Sequence, residues 1–160
     1  DPAVLLNALG RAVSADEIEH IAPWRFRAPL APDIAAAREG RSIVFDELIG
    51  FSRAAIEATT GILFIEGVGG IMVPLDARRT VLDWMAALDI PLLLVVGGYL
   101  GAISHTLTAL EYLHARKIAV PLIVVSKFDP ADPRHVENEQ ELAKPPKVDF
   151  NAAPAGGAAR

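Results

Sequence analysis

Three short runs of unbroken apolar residues recur along the chain. They are Ile62 to Ile65, closed by Glu66, then residues 91–96, then residues 120–125. Runs of this length, rich in Ile, Leu and Val, predict strands covered on both faces, as in the parallel sheets of α/β proteins. Between them the apolar spacing changes to three or four. Over 80–88 this brings Val81, Trp84, Met85 and Leu88 to one helical face, with Thr80 as the cap. Over 101–117, Ile103, Leu107, Leu110 and Leu113 recur while Glu111, Arg116 and Lys117 face away, the pattern of an amphipathic helix. Strand, helix, strand, helix, strand, with crossovers long enough for parallel pairing, predicts an α/β fold with a parallel sheet flanked by helices. Parallel strands end on one edge of their sheet, where open α/β folds bind ligands. Glu66, the Gly97–Gly98 pair and Ser126 are therefore expected on a shared rim.

Upstream of the first run the pattern is shorter-ranged. Residues 2–12 place Val4, Leu5, Ala8, Leu9 and Ala12 at helical spacing behind Asp1 and Pro2, a cap and a first-turn proline. Residues 16–32 read as loop, because Pro23, Pro29 and Pro32 bar a long helix. In that loop Trp24 and Phe26 alternate with Arg25 and Arg27, which suits either a pocket wall or a surface connection. A brief helix is predicted over 33–39, ended by Gly40. A longer one starts from Ser42 as N-cap, carries Phe45, Leu48, Ile49, Ala55 and Ile56, and reaches about Thr59. After Phe128 the periodicity collapses: residues 129–147 hold four prolines among scattered charges, and 151–160 is an Ala, Gly and Pro tail. The expectation is an α/β domain over 1–128 and an irregular, partly disordered tail over 129–160.

Composition narrows the function classes. A chain of 160 residues argues for one domain that buries roughly 70% of its unfolded surface. Fifteen basic against twenty acidic residues give a net charge of −5 with no basic block, so nucleic acid is not an expected partner. The absence of cysteine removes disulfides, thiolate zinc sites and cysteine nucleophiles. The apolar stretch 90–103 is too short for a bilayer and is interrupted by Pro91, Gly97, Gly98 and Gly101. With no charged-then-apolar leader, the reading is a cytoplasmic protein without a membrane partner. Because its first residue is Asp1 rather than Met, the chain reads as beginning inside a larger protein.

The candidate chemistry gathers at GILFIEGVGGIMVPL, residues 61–75. A carboxylate at a strand end, followed by Gly67, Gly69 and Gly70, fits a site that holds Mg²⁺ and the phosphates it bridges. The same residues also fit an acid capping a strand before a tight turn. No glycine is followed by lysine, so GxxxxGK[ST] is absent from this chain. GxGxxG also fails, since Gly67 and Gly69 match its first half but position 72 is Met. Ser104 and His105 are adjacent on a helix, diverge by roughly 100°, and cannot act as a nucleophile and its base. Residues 101–104 instead open a helix whose free N–H groups attract a carboxylate or phosphate, or serve only as a turn and a first-turn hydroxyl. His20, His114 and His135 have no partner at metal-ligand spacing.

Taken together, IEGVGGIMVPLD, TVLDW, PLLLVVGGYLGAISHTLTALEYLHARKI and the loop APLAPDIAAAREG strongly resemble dethiobiotin synthetases, from Asp1 to about Ser126. The resemblance implies a P-loop NTPase-like three-layer α/β domain, here lacking its first strand and phosphate loop. It implies a homodimer, and small-molecule substrates: ATP with Mg²⁺, CO₂ and 7,8-diaminopelargonate, whose carbamate is phosphorylated and closed to a cyclic urea. On the same resemblance Glu66 matches the Mg²⁺-binding glutamate and a catalytic position, Asp1 a second acidic ligand, and Gly69 the glycine beside the reacting groups. Gly67 and Gly69 belong with Glu66 to the nucleotide site. Gly101, Ala102 and Ser104 match the helix start that receives the substrate carboxylate across the dimer interface, with Ser104 where many relatives carry Asn. Ser126 falls where adenine is often read by an Asn.

Because the lysines and serine that the family uses for phosphoryl transfer lie before Asp1, the chain by itself is expected to be inactive. Two other readings remain at this stage. One is another P-loop amidoligase or ATPase, which should lack the LGAISH helix start. The other is a non-catalytic dimerisation or ligand-binding fragment.

Overall fold

The computed structural model of the protein describes residues 2–126 and Lys144. The chain forms two compact units, Asp1–Leu88 and Asp89–Arg160, each considered by itself below. The tail expected over 129–160 lies outside the described residues, except for Lys144.

The first unit is helical. Helix α1 (Pro2–Ala8) buries Leu6 completely and stops short of the expected Ala12. The chain turns left-handed at Gly10, φ 66°, where the Arg11 N–H donates to the Leu6 carbonyl at 2.9 Å, a Schellman closure. Helix α2 (Ala15–Ile21) occupies part of the stretch expected to be loop. Its start carries a capping signature, Ser14 followed three residues later by Glu17, and the Ser14 hydroxyl accepts from the Glu17 N–H at 3.2 Å. Its far end is closed by Arg25, whose guanidinium donates to the Ile18 and Ala22 carbonyls and pairs with Glu19 at 2.8 Å. The prolines of the segment thus lie beyond a helix that local capping had already completed.

Helix α3 (Pro32–Arg38) follows with Pro32 in its first turn, and α4 (Phe45–Ala58) comes next. Ser42 is not the cap of α4; Val44 is. Burial decides the start, since Ile43 and Phe45 both enter the core, and Asp46 and Glu47 then supply negative charge to the exposed first-turn amides. That core consists of Ala36, Ile43, Phe45, Leu48, Leu75 and Val81, with Trp24 and Phe26 packed against it. Trp24 meets the ring of Phe51 edge-on at 5.4 Å, and Arg41 lies 4.9 Å over Phe26. The aromatic loop is a cover for the core. Helix α5 (Val81–Leu88) buries Val81 and Leu82. Thr80 precedes the helix, but its hydroxyl does not accept from a helix amide: the Asp83 carboxylate accepts from both the Thr80 N–H (2.8 Å) and its hydroxyl (2.9 Å). Helices α4 and α5 are stitched across their interface by Trp84, whose indole N–H donates to the buried Ser52 hydroxyl at 3.1 Å.

One expected strand is not formed. Residues 62–66 take no regular secondary structure and belong to no ladder among the described residues, and Ile62 and Phe64 are 85% and 78% exposed. A strand exists only where a neighbour takes its backbone hydrogen bonds, and apolar content alone does not supply one.

The second unit is built on strands β1 (Leu93–Gly97) and β2 (Leu122–Ser126), joined through helix α6 (Ala102–Ala115). They pair in parallel, as the apolar runs predict, in a register that sets Leu93 opposite Leu122 and Gly97 opposite Ser126. Their side chains are less covered than expected, Val95 being 60% exposed. Helix α6 packs against β1. Its buried stripe is Ala102, Thr106 and Leu113, rotated from the Ile103, Leu107, Leu110 and Leu113 face that hydrophobicity alone selects. Thr106 tolerates burial because its hydroxyl donates to the Ala102 carbonyl at 2.7 Å. The helix closes at Lys117, a non-glycine residue with φ 56°, where Ile118 N–H donates to the Leu113 carbonyl at 3.0 Å.

Candidate active site

Glu66 is exposed and introduces the glycine turn of the first unit. The path of that turn is set by its contact with α5. A Cβ added at Gly67 would lie 2.9 Å from Val81 Cγ1 and 3.5 Å from Met85 Cε, so only glycine lets the backbone after Glu66 rest on the helix. Gly69 has φ 68°, and a Cβ there would come within 2.8 Å of Val73 Cγ2. The segment then folds onto the start of α5. Leu82 N–H donates to the Ile71 carbonyl at 2.8 Å, Val81 N–H to the Val73 carbonyl at 3.0 Å. These are two of the first-turn amides that a helix leaves without internal partners, so this helix start is spoken for by its own loop.

Whether Glu66 suits a divalent cation is decided by donor chemistry. Among the described residues no group of three His, Cys, Asp or Glu side chains converges. An all-protein cage is therefore not formed by them. Mg²⁺ is commonly held by one or two carboxylates with substrate phosphates and water completing the shell, and one solvent-facing carboxylate beside a glycine turn fits that mode. Asp1 lies outside the described residues.

In the second unit, the parallel register carries Gly97 and Ser126 to the same end of the sheet, two of the three strand ends expected on one rim; the third, Glu66, ends no strand among the described residues. Two residues on, Tyr99 lays its ring over Gly97, where a Cβ would be 2.8 Å from the ring's Cδ1. The chain then enters α6 through Gly101, the N-cap, in the left-handed region at φ 95°, with no side-chain cap. Gly101, Ala102 and Ser104 thus share one helical turn. Their backbones differ in availability, since Ala102 N–H already donates to the Tyr99 carbonyl at 3.0 Å and Ala102 is buried. Ser104 is exposed and its carbonyl accepts from Thr108 Oγ1 at 2.8 Å. His105 does not pair with Ser104. Its Nδ1 lies 2.9 Å from the Tyr99 hydroxyl, a partner that no helical spacing predicts because the turn at Gly101 intervenes.

The candidate residues accordingly fall in three places: Glu66, Gly67 and Gly69 on one turn of the first unit, and, in the second, Gly101, Ala102 and Ser104 at the start of α6 and Ser126 opposite Gly97 at the sheet end. Among the described residues, no helix is long and apolar enough to cross a membrane.

Comparison with known proteins agrees with this architecture. The AAA domain family model matches residues 8–150, which places the chain among P-loop α/β domains with a parallel sheet flanked by helices. The chain is 48% identical over 161 residues to the ATP-dependent dethiobiotin synthetase BioD of Acidiphilium cryptum, covering 96% of this chain and 72% of that protein. It is 51% identical over 130 residues to the protein of the same name from Methylobacterium nodulans (79% and 57%). With that of Caulobacter sp. strain K31 it shares 48% over 129 residues (79% and 54%). The chain thus spans from just over half to almost three quarters of the length of these relatives. At this identity and coverage the chain belongs to the ATP-dependent dethiobiotin synthetase family.

Proposed function

We infer that the protein containing this chain closes the cyclic urea of dethiobiotin from 7,8-diaminopelargonate, CO₂ and ATP, a ligase step of biotin synthesis. The observation that carries this reading is the identity of 48% sustained over 96% of the chain with an ATP-dependent dethiobiotin synthetase. The geometry of the two glycine-bearing turns supports it.

One amine of the diamine adds to CO₂ and gives a carbamate with loss of a proton. The carbamate oxygen takes the terminal phosphoryl group of ATP and releases ADP. The second amine then attacks the activated carbonyl carbon, the C–O bond to phosphate breaks, and the ring closes with release of phosphate. Phosphoryl transfer of this kind depends on position and charge neutralisation more than on covalent chemistry by the protein. Glu66 is the residue that would hold Mg²⁺, which supplies charge neutralisation at the phosphates. Gly67 and Gly69 keep side chains away from the reacting groups. The first turn of α6, at Gly101, Ala102 and Ser104, receives the substrate carboxylate. Because the Ala102 amide donates to the Tyr99 carbonyl, the contact in this reading is made by the neighbouring Ile103 and Ser104 N–H groups and the Ser104 hydroxyl. Ser126, at the end of β2, lies at the position that reads the nucleobase. In this reading the protein works as a cytoplasmic homodimer.

The test is diamine-dependent ADP release by the full-length protein with Mg²⁺ and bicarbonate, followed by mass detection of the cyclic urea. Turnover that requires the diamine is the expected result. ADP release indifferent to the diamine, or none, would overturn the assignment. Sedimentation of the same protein checks the dimer.

A further inference from the structure

The entry to α6 is fastened by a contact that its sequence motif does not disclose. Tyr99 is bound to the helix twice: its carbonyl accepts from Ala102 N–H at 3.0 Å, and its hydroxyl lies 2.9 Å from His105 Nδ1. The tyrosine ring is itself seated, because it occupies the space above Gly97 where any side chain would collide with it. The imidazole in turn borders Gly101, with Cε1 3.8 Å from where a Cβ would stand. Four residues therefore form a closed circuit: Gly97 at the strand end, Tyr99, His105 in the second turn of the helix, and the left-handed Gly101 between them. The Tyr99–His105 bond is solvent-exposed. Water competes for such a bond, so its net contribution is that of one ordinary hydrogen bond, and its effect is to fix where the turn sits.

We propose that Tyr99 and His105 are positioning residues for the substrate carboxylate, a clasp that holds the Gly101 turn so that the Ile103 and Ser104 amides are preset for the anion. This inference rests on the reading given under Proposed function. Preset donors gain affinity by avoiding the ordering cost at the moment of binding. The clasp acts on the carboxylate end of the diamine, remote from the bond-forming amines. Its loss should therefore weaken substrate binding and leave the chemical step largely intact.

The experiment compares wild type, Tyr99→Phe, His105→Phe and the double variant in the full-length protein, reading KM for the diamine, KM for ATP and kcat from ADP release. At position 99 phenylalanine keeps the ring and removes only the hydroxyl; at position 105 it keeps an aromatic ring but replaces the imidazole, with both its nitrogens, by a larger phenyl. Each single variant should raise KM for the diamine by about 3- to 10-fold, the effect of one hydrogen bond, with KM for ATP and kcat within about twofold. The double variant should be no worse than either single one, because both remove the same bond. With a diamine whose carboxylate is replaced by a methyl group, all four proteins should have the same KM. If wild type turns over the diamine but Tyr99→Phe leaves its KM unchanged, or the two losses add, or they persist with the methyl analogue, the clasp is refuted while the enzymatic reading stands. If wild type shows no diamine-dependent turnover, both fall together.

Discussion

Gly67 and Val81 touch so closely that a methyl group at the glycine would approach Val81 Cγ1 to 2.9 Å, which makes the first turn of α5 the seat of the Glu66 turn. Val81 is 1% exposed and packed into the core, so it cannot swing aside. Gly67→Ala should push the turn off the helix and lower the rate of ADP release by about 10- to 100-fold, the scale of an ångström-sized misplacement. A compensating Val81→Ala should restore part of that rate while lowering stability further, so kinetics and urea denaturation will move in opposite directions.

Glu66 is solvent-facing, and replacing it should leave folding almost untouched. Glu66→Gln is expected to change stability by no more than about 0.5 kcal/mol. It should raise the Mg²⁺ concentration needed for half-maximal ADP release by about 10- to 100-fold, the range in which metal sites lose affinity when a supporting group is removed. A Mg²⁺ titration of turnover beside a thermal melt separates the two effects.

Ser52 is 2% exposed and accepts the Trp84 indole N–H while its own hydroxyl donates to the Leu48 carbonyl at 2.8 Å. Ser52→Ala strands the indole donor in the interface between α4 and α5 and should cost about 1–3 kcal/mol. Adding Trp84→Phe removes the stranded group, so the double variant should lose less than the sum of the singles. Urea unfolding followed by circular dichroism reads both.

Lys117 carries a left-handed backbone without being glycine. The conformation costs a residue with a Cβ about 1–2 kcal/mol, and glycine gives back about 0.4–1 kcal/mol through its freer unfolded chain. Lys117→Gly is therefore expected to stabilise the protein by about 0.5–1 kcal/mol, visible as a higher midpoint of thermal unfolding.

How much of this was readable in the sequence depends on the range of the deciding interaction. Strands β1 and β2 and their parallel pairing follow from two apolar runs separated by a helical pattern, all local signals. Helix α2 is encoded just as locally, in the Ser14–Glu17 capping pattern, and the prolines at 23, 29 and 32 lie beyond its end, so they break nothing in it. Residues 62–66 show the opposite limit. Their composition suits a strand, yet pairing is a property of two segments, and no described segment takes up their backbone. The glycines of the candidate site could be found by eye because turns demand them. Tyr99 could not, since its tie to His105 exists only after Gly101 has turned the chain back.

The side-by-side direction of β1 and β2 has a final implication for how this part of the molecule is assembled. Leu93 cannot meet Leu122 until the intervening helix has carried the chain back across the sheet, so the pairing closes a long loop and belongs late in folding. A single proteolytic nick inside α6 would turn that closure into an encounter between two separate pieces. Limited digestion within α6, read together with backbone hydrogen exchange of β1 and β2, therefore reports on whether the helix opens with the strands or apart from them.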